Sequence, residues 1–444
     1  MSERKLLHLI IIAGMTLLFS CSGMKSVQKT EIKESVPRQQ DKPGMPEMNN
    51  NDQFLEGLMA SHPLYFGDIL KNRREWNVQI IYTPIDRDDQ GIPHLQHHYF
   101  NLDSSRYFYP ASTVKLPVVL LALQKLNELK EKGIDRNTTM ITETSNKSQT
   151  AVYNDPTSSD GRPALGHYIK KILMVSDNDA FNRLYEFLGQ KYINDELHKK
   201  GFSTAEILHR LNITLSEEEN RETNAVKFLD NNNHVLYEQG LQKSQLRYSS
   251  RKDFMGKGYY KGSLLINGPM DFSKKNRISL SELHKILVGI IFPAIVPTSQ
   301  RFNLTEDDNR FIIKYMSQLP TESIFPPYSA DTANYWPSYC KFLLTGGEKG
   351  RLPENIRIFN KVGDAYGQMI DVAYITDFKN KVEFFLSAVI YCNSDGILND
   401  DKYDYATVGL PFMKHLGEVI YAYELKRQRK NKPDLSPFIF KYDK

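Results

Sequence analysis

Apolar positions are unevenly distributed along the chain, and their spacing changes from one region to the next. From Ser112 to about Lys132 they occur on nearly every side of a helical wheel: Leu116, Val118, Val119, Leu120, Leu121, Leu123, Leu126 and Leu129. A helix apolar all round belongs in the middle of a protein. Pro117 falls near its start, where a proline is tolerated, and Gly133 is placed to cap its end. Further helical patterns span about Phe54 to Arg74, Ala164 to Val175, a stretch from Asp179, Ser279 to Ile291, Asp307 to Gln318 and Tyr405 to Lys426. Strand patterns, rich in β-branched and aromatic residues, occur at Asn77 to Thr83, near His97 to Leu102, and at Arg357 to Val362, Gln368 to Ile375 and Val382 to Tyr391. The turn Asp377-Phe378-Lys379-Asn380 makes the last two an antiparallel hairpin. Strands early and late with helices between predict an α/β sandwich whose antiparallel sheet draws on both chain ends, with a helical lobe beside it.

The ends follow other rules. Arg4 and Lys5 precede an apolar run from Ile10 to Phe19 that is short for a membrane span, which predicts a signal peptide over 1–20. Leu18-Phe19-Ser20-Cys21 resembles a bacterial lipobox, which implies a lipid on Cys21 and an exported protein anchored to a bacterial membrane on its periplasmic or cell-envelope side. Residues 21–52 are polar and proline-containing and are expected to be a disordered tether. The globular part is expected over 53–430, with insertions near 214–275 and 320–337 that read as loops or irregular structure, and a tail at 431–444.

Composition narrows the function. The 444 residues are 40% hydrophobic and 25% charged with a net charge of +4, an ordinary globular balance that predicts no nucleic-acid partner. Cys340 and Cys392 remain besides Cys21; a disulfide and two buried thiols are equally open. His94, His97 and His98 lack the companion ligands of a metal site and read as surface or edge-strand residues. No metal or organic cofactor is expected, and the oligomeric state is not legible.

Candidate chemistry lies in three short motifs. Ser-x-x-Lys occurs six times, at Ser2, Ser22, Ser26, Ser112, Ser249 and Ser338, but only Ser112-Thr113-Val114-Lys115 opens the apolar helix. Ser112 and Lys115 share a helix face, and a buried lysine of lowered pKa can take the proton that makes a serine hydroxyl nucleophilic. Equally, Ser112 is a good helix cap and Lys115 a solvated neighbour. Ser176-Asp177-Asn178 falls between two predicted helices, with a hydroxyl for proton relay and an amide for hydrogen bonding, or simply another cap. Lys361-Val362-Gly363 lies on a predicted strand, where Lys361 brings positive charge and Gly363 leaves room for a substrate backbone; the alternative is an edge lysine that discourages pairing.

In this order the motifs, the buried helix and the closing hairpin and helix resemble the penicillin-recognising serine enzymes, and most of all class A β-lactamases and related serine hydrolases. The resemblance implies Ser112 as acylated nucleophile, Lys115 as its base, Ser176 as proton shuttle, Asn178 as substrate amide ligand and Lys361 as carboxylate anchor. It also implies an oxyanion pocket between the backbone N–H groups of Ser112 and Asp364. Substrates would be β-lactams, other amides or esters, or peptidoglycan-derived peptides; a D-alanyl-peptidase or transpeptidase, or a penicillin-binding or wall-sensing lipoprotein without turnover, are the alternatives. Two departures stand out. Val362 replaces the usual threonine or serine, and the Glu-x-x-Leu-Asn that positions a deacylating water is absent. Only Glu217, Glu218, Glu219 and Glu222 lie in the corresponding region.

Overall fold

A computed structural model describes residues 53–144 and 150–443. The expected signal segment, Cys21 and the tether lie outside the described residues. The main sheet is antiparallel, in the order Ile356–Ala365, Gln368–Asp377, Val382–Tyr391, Gln79–Arg87, Pro93–Leu95, and His98–Phe100 also pairs with Gln79–Arg87. Both chain ends thus contribute to one sheet, as the pattern of strands predicts.

The three long C-terminal strands are buried on both faces, so their side chains divide between two cores. On one face Ile80, Tyr82, Phe384 and Leu386 meet the helices Gln53–Ala60 and Pro63–Lys71 and the terminal helix Leu410–Lys426, through Leu55, Phe66, Phe412, Met413 and Leu416. On the other, Ile81, Phe359, Tyr374 and Phe385 meet the helix Leu280–Ile291 and the lobe built around Lys115–Glu128. This is the mixed α/β layering expected from the sequence.

Local chemistry explains where elements start and stop. The helical pattern over Phe54 to Arg74 is two helices, because Pro63 disfavours helical backbone at His62 and restarts the helix. Pro117 is the third residue of Lys115–Glu128, within the first turn, where its missing N–H has no partner to lose. The α-helix stops earlier than expected, at Glu128, and Gly133, left-handed at φ 70°, ends the separate 3₁₀ turn Lys130–Lys132 that follows. Ser279 and Glu282 close a capping box at the start of Leu280–Ile291.

The region between Thr214 and Lys275 differs from the expectation of loops. It holds a short helix, Glu217–Arg221, and several short strands. Val226–Leu229 pairs with Thr139–Thr142 and with Val235–Gln239, and Gly258–Lys261 pairs with Leu264–Asn267. Val235–Gln239 and Leu264–Asn267 are largely exposed, so no alternation of buried and exposed positions marks them in the sequence. Residues 431–443 pack back across the sheet: Phe438 meets Tyr374 at 5.1 Å and Phe359 at 5.6 Å between ring centroids, and the Tyr442 and Ser317 hydroxyls are 2.9 Å apart.

Candidate active site

Three of the fold's seams meet at Ser112. Ala111–Val114 forms a single 3₁₀ turn that runs straight into the buried helix Lys115–Glu128. Ala111 enters it at φ 46°, a costly conformation for a residue with a Cβ, and it fixes the direction in which Ser112 leaves the turn. The Ser112 N–H sits in the first turn, where intrahelical bonding does not claim it.

Ser176 occupies the corner between Leu165–Val175 and Asn178–Leu188. It ends the first helix in the left-handed region at φ 61°, and Asp177 caps the second by accepting from the Ala180 N–H at 2.8 Å. The tight corner turns both Ser176 and Asn178 toward Lys115. Lys115 Nζ donates to Ser112 Oγ at 2.8 Å, to Asn178 Oδ1 at 2.7 Å, to Ser176 Oγ at 3.2 Å and to the Ser176 carbonyl.

On the other side, Lys361 Nζ reaches across from the edge strand and donates to Ser176 Oγ at 2.8 Å and to its neighbour's carbonyl, Val362 O, at 2.7 Å. Ser176 Oγ is therefore held between two lysines. Lys115 is fully buried, and that burial, aided by the nearby Lys361 charge, holds its pKa well below the usual lysine value. Burial brings Lys361 down to about 8.

Gly363 has a different reason from the one the sequence suggests. A Cβ at Gly363 would lie 2.8 Å from Ser112 N, 2.9 Å from Thr113 N and 2.9 Å from Pro110 O. The missing side chain makes room for the protein's own nucleophile turn. Val362 points the other way, into the core with Met413 and Phe412, so its methyl groups pack behind the sheet. Asp364 follows near the end of the strand, at the rim where the strand meets solvent. The surrounding walls raise its carboxyl above the usual carboxylate value, against the pull of Lys361 and Lys115.

Two walls flank these groups. Tyr366 and Gly367 both have positive φ, 52° and 77°, a two-residue hairpin turn of the I′ kind. It directs the Tyr366 ring edge-on to Tyr109 at 5.1 Å and to Phe272 at 5.2 Å. The second wall, unforeseen, comes from Ser338 to Leu343. Cys340 lies close enough to Lys361 and Lys115 for their charges to act on its thiol, although burial prevails and pushes it up to about 11. Lys341 Nζ donates to Met316 O at 2.7 Å and Asn360 Oδ1 at 2.6 Å; Asn360 Nδ2 in turn donates to Cys340 O at 3.0 Å and Asp371 Oδ1 at 2.8 Å. Asp371 Oδ2 accepts from the N–H groups of Phe342 and Leu343. This network clamps the wall to the edge strand directly behind Lys361.

The wall includes a second Ser-x-x-Lys. Ser338 donates to the Glu348 carbonyl, and Lys341 bonds elsewhere, so the two are not coupled as Ser112 and Lys115 are. Cys340 and Cys392 are both free thiols.

The glutamates after the second motif serve local structure. Glu217 meets Lys274 at 2.6 Å and Arg221 at 3.0 Å, Glu219 closes a capping box with Ser216, and Glu222 accepts from Lys243 at 3.0 Å. Glu218 lies 3.8 Å from both Arg221 and Lys243. The carboxylates whose charge reaches Lys115 are Asp177 and Asp364.

An antiparallel sheet with helices on both faces, bearing a serine–lysine pair, a serine–asparagine corner and a strand lysine, defines a penicillin-recognising serine enzyme. Residues 92–422 match the Beta-lactamase enzyme family, and the chain belongs to that family, within a superfamily of serine hydrolases. Similar solved structures include an ancestral (GNCA) class A β-lactamase, at 12% identity over 84% of this chain and 100% of that one, with a TM-score of 0.44. Another is the class A β-lactamase of Clostridium kluyveri, at 13% identity over 84% and 99%, with a TM-score of 0.45. A β-lactamase from Burkholderia ambifaria gives 12% over 83% and 98%, with a TM-score of 0.42. No curated protein matches the chain. The assignment to the family rests on the sequence match.

Proposed function

We propose that the protein is an acyl-transfer enzyme that forms an ester on Ser112 with a β-lactam or another amide or ester. The observation that carries this reading is the Lys115 amine, buried, of lowered pKa and 2.8 Å from Ser112 Oγ. As neutral Lys115 takes the hydroxyl proton, Ser112 Oγ bonds to the substrate carbonyl carbon. The C–N or C–O bond to the leaving group then breaks, and Ser176 Oγ, linked to both lysines, delivers the proton to the departing atom. Asn178 spends its carbonyl on Lys115 and offers its NH₂ to the substrate amide. Lys361 supplies positive charge on the leaving-group side. The backbone N–H groups of Ser112 and Asp364 stabilise the oxyanion, an arrangement supported by the contact between Gly363 and the nucleophile turn.

A second reading is favoured by one observation: the four glutamates are held by Arg221, Lys274, Lys243 and Ser216. An ester with no glutamate to activate water is long-lived, which suits a peptidoglycan D-alanyl-peptidase, a transpeptidase or a penicillin-binding lipoprotein. Incubation with a chromogenic cephalosporin and a reporter penicillin, followed by turnover and intact mass, separates the readings. Turnover abolished in Ser112→Ala supports hydrolysis of β-lactams. A stable adduct without turnover supports the second reading. No reaction of either compound refutes both for this substrate class.

The proposal includes export and lipidation at Cys21, supported by the order of basic residues, apolar run and Leu18-Phe19-Ser20-Cys21. Release of a Cys21→Ala variant from the membrane fraction is the expected result; retention there overturns the anchor.

A further inference from the structure

A cavity of about 480 Å³, within the size range of small-molecule sites, borders the hairpin turn that follows Asp364 and has Tyr366, His209 and Lys275 on its walls. Two of these walls are tied to the nucleophile turn through Tyr109, three residues before Ser112. Tyr366 meets the Tyr109 ring edge-on at 5.1 Å, and His209 stacks parallel to it at 6.1 Å. Along the chain, Lys361 and Tyr366 lie on opposite sides of Gly363, the residue that touches Ser112. From Gly363 to Tyr366 the backbone spans at most ~10 Å. Resting on the acyl-transfer reading above, in which Lys361 serves the leaving-group side, the cavity lies on the acyl side of the scissile bond.

The charged side chains on its walls are Glu217, Asp271, Lys274 and Lys275. Glu217 and Lys274 neutralise each other at 2.6 Å, and Asp271 is exposed and accepts from the Ser273 N–H at 2.8 Å. Lys275 differs from all of these. Among the described residues its Nζ has no hydrogen-bond or ion-pair partner, and it is not sealed from solvent. The side chain is half-buried, and an ammonium without a protein acceptor must keep water, which here is the water of the cavity. Burial lowers its pKa, and no carboxylate stands near enough to offset that. His209 brings no second charge: its Nδ1 donates to the Arg210 carbonyl at 2.6 Å, and burial holds the ring down to about 4. The cavity therefore holds one unbalanced cation on a neutral wall. A carboxylate supplies acceptor oxygens and a single negative charge to match it, and with a lone lysine in place of an arginine fork the match is one of charge.

We propose that this cavity binds the acyl arm of the substrate, and that Lys275 is a specificity-determining residue that selects arms ending in a carboxylate over neutral ones. The contact is electrostatic and reaches solvent, so it weakens as salt is added.

The test uses pairs of thioesters that release the same thiol, one with an acyl chain ending in a carboxylate and the other in the matching carboxamide, over a series of chain lengths. Acyl adducts on Ser112 are timed by intact mass at neutral pH, with Ser112→Ala as the unlabelled control. At the best-fitting length the wild-type protein is expected to react about tenfold faster with the carboxylate, equivalent to ~1.4 kcal/mol. Added salt should narrow that ratio, Lys275→Met should abolish the preference, and Lys275→Glu should invert it. The ratio is taken within each protein, so a general loss of rate in a variant does not enter it. No preference for the carboxylate at any length, a wild-type ratio indifferent to salt, or an unchanged ratio in Lys275→Met overturns the role of Lys275 while leaving acyl transfer intact. No Ser112 adduct from any ester overturns the acyl-transfer reading, and the selectivity with it.

Discussion

Gly363 and Ser112 meet backbone to backbone: a single methyl group at Gly363 would sit 2.8 Å from the Ser112 nitrogen. The edge of the sheet is thereby the ruler against which the nucleophile turn is set. Lys361, two residues earlier on the same strand, reaches Ser176 at 2.8 Å, so one strand positions both sides of the site.

Gly363→Ala must push the turn and the strand apart. Misplacing reactive groups by about 1 Å costs on the order of 100-fold in rate, so acylation should fall by about that factor. The strand and the turn are packed together, backbone against backbone, so the melting temperature should fall as well. Adduct kinetics and thermal unfolding on the same sample check both halves; a near-normal acylation rate would show that the strand does not set the turn.

The pH dependence of acylation should be bell-shaped. Its acid limb is the loss of the Lys115 proton, displaced well below the ordinary lysine range by burial and by Lys361. Its alkaline limb is the loss of the Lys361 charge, at about 8. Lys361→Arg keeps its charge at all accessible pH, so the rate should stop falling above about 8. Lys115→Met should lower the rate by at least ~100-fold at every pH, the share expected of a positioned base. A pH–rate profile of kcat/KM for the three proteins is the measurement.

Arg210 and Glu186 form a buried pair at 2.7 Å, and Glu186 also accepts from the Asn224 N–H, holding the segment after the second motif against the helix Asn178–Leu188. Arg210→Met leaves the Glu186 carboxylate buried without its partner, at a cost of ~3–5 kcal/mol. The double variant with Glu186→Leu should recover part of that loss. Urea unfolding of the single and double variants measures it.

Acid should weaken the fold before the carboxylates titrate. Burial holds His97, His167 and His209 at about 4, below the 6.5 of an unfolded histidine. Between these values the unfolded chain binds more protons, so stability is full above pH 6.5 and falls as the pH drops toward 4. His97 bonds to Thr83, which also meets His284, itself bonded to Ser387, so protonation there disturbs a chain that joins the sheet to the helix Leu280–Ile291. Urea midpoints should be lower at pH 5 than at pH 7; a flat profile would contradict neutral buried rings.

What could be read from the sequence was what repeats with a period or stands in a motif. The apolar run after Ser112, the β-branched strands at the C-terminus and the corner at Ser176 each announce themselves within a few residues. Contacts between distant segments do not. Gly363 reads as space for substrate, yet that space belongs to Pro110, Ser112 and Thr113, a pairing that no local pattern encodes. The Val362 departure reads as a lost substrate contact, whereas strand alternation turns its side chain into the opposite core. Cys340 and Lys341 were hidden because the Asn360–Asp371 pair that anchors their turn lies on two other strands. The strands Val235–Gln239 and Leu264–Asn267 are largely exposed, and without a buried stripe their pattern resembles a loop.

The pairing of Gln79–Arg87 with Val382–Tyr391 also sets a timetable for the ribosome. The strand that carries Lys361 is linked to the early strand only through two later ones, the last ending at Tyr391. Until that stretch has been synthesised, Ser112 and Lys115 can share a helix but have no frame to bring Lys361 to Ser176. Chains that stop before Tyr391 therefore lack the frame for the Lys361–Ser176 contact, and the site is assembled only when nearly all of the sheet-forming sequence is present.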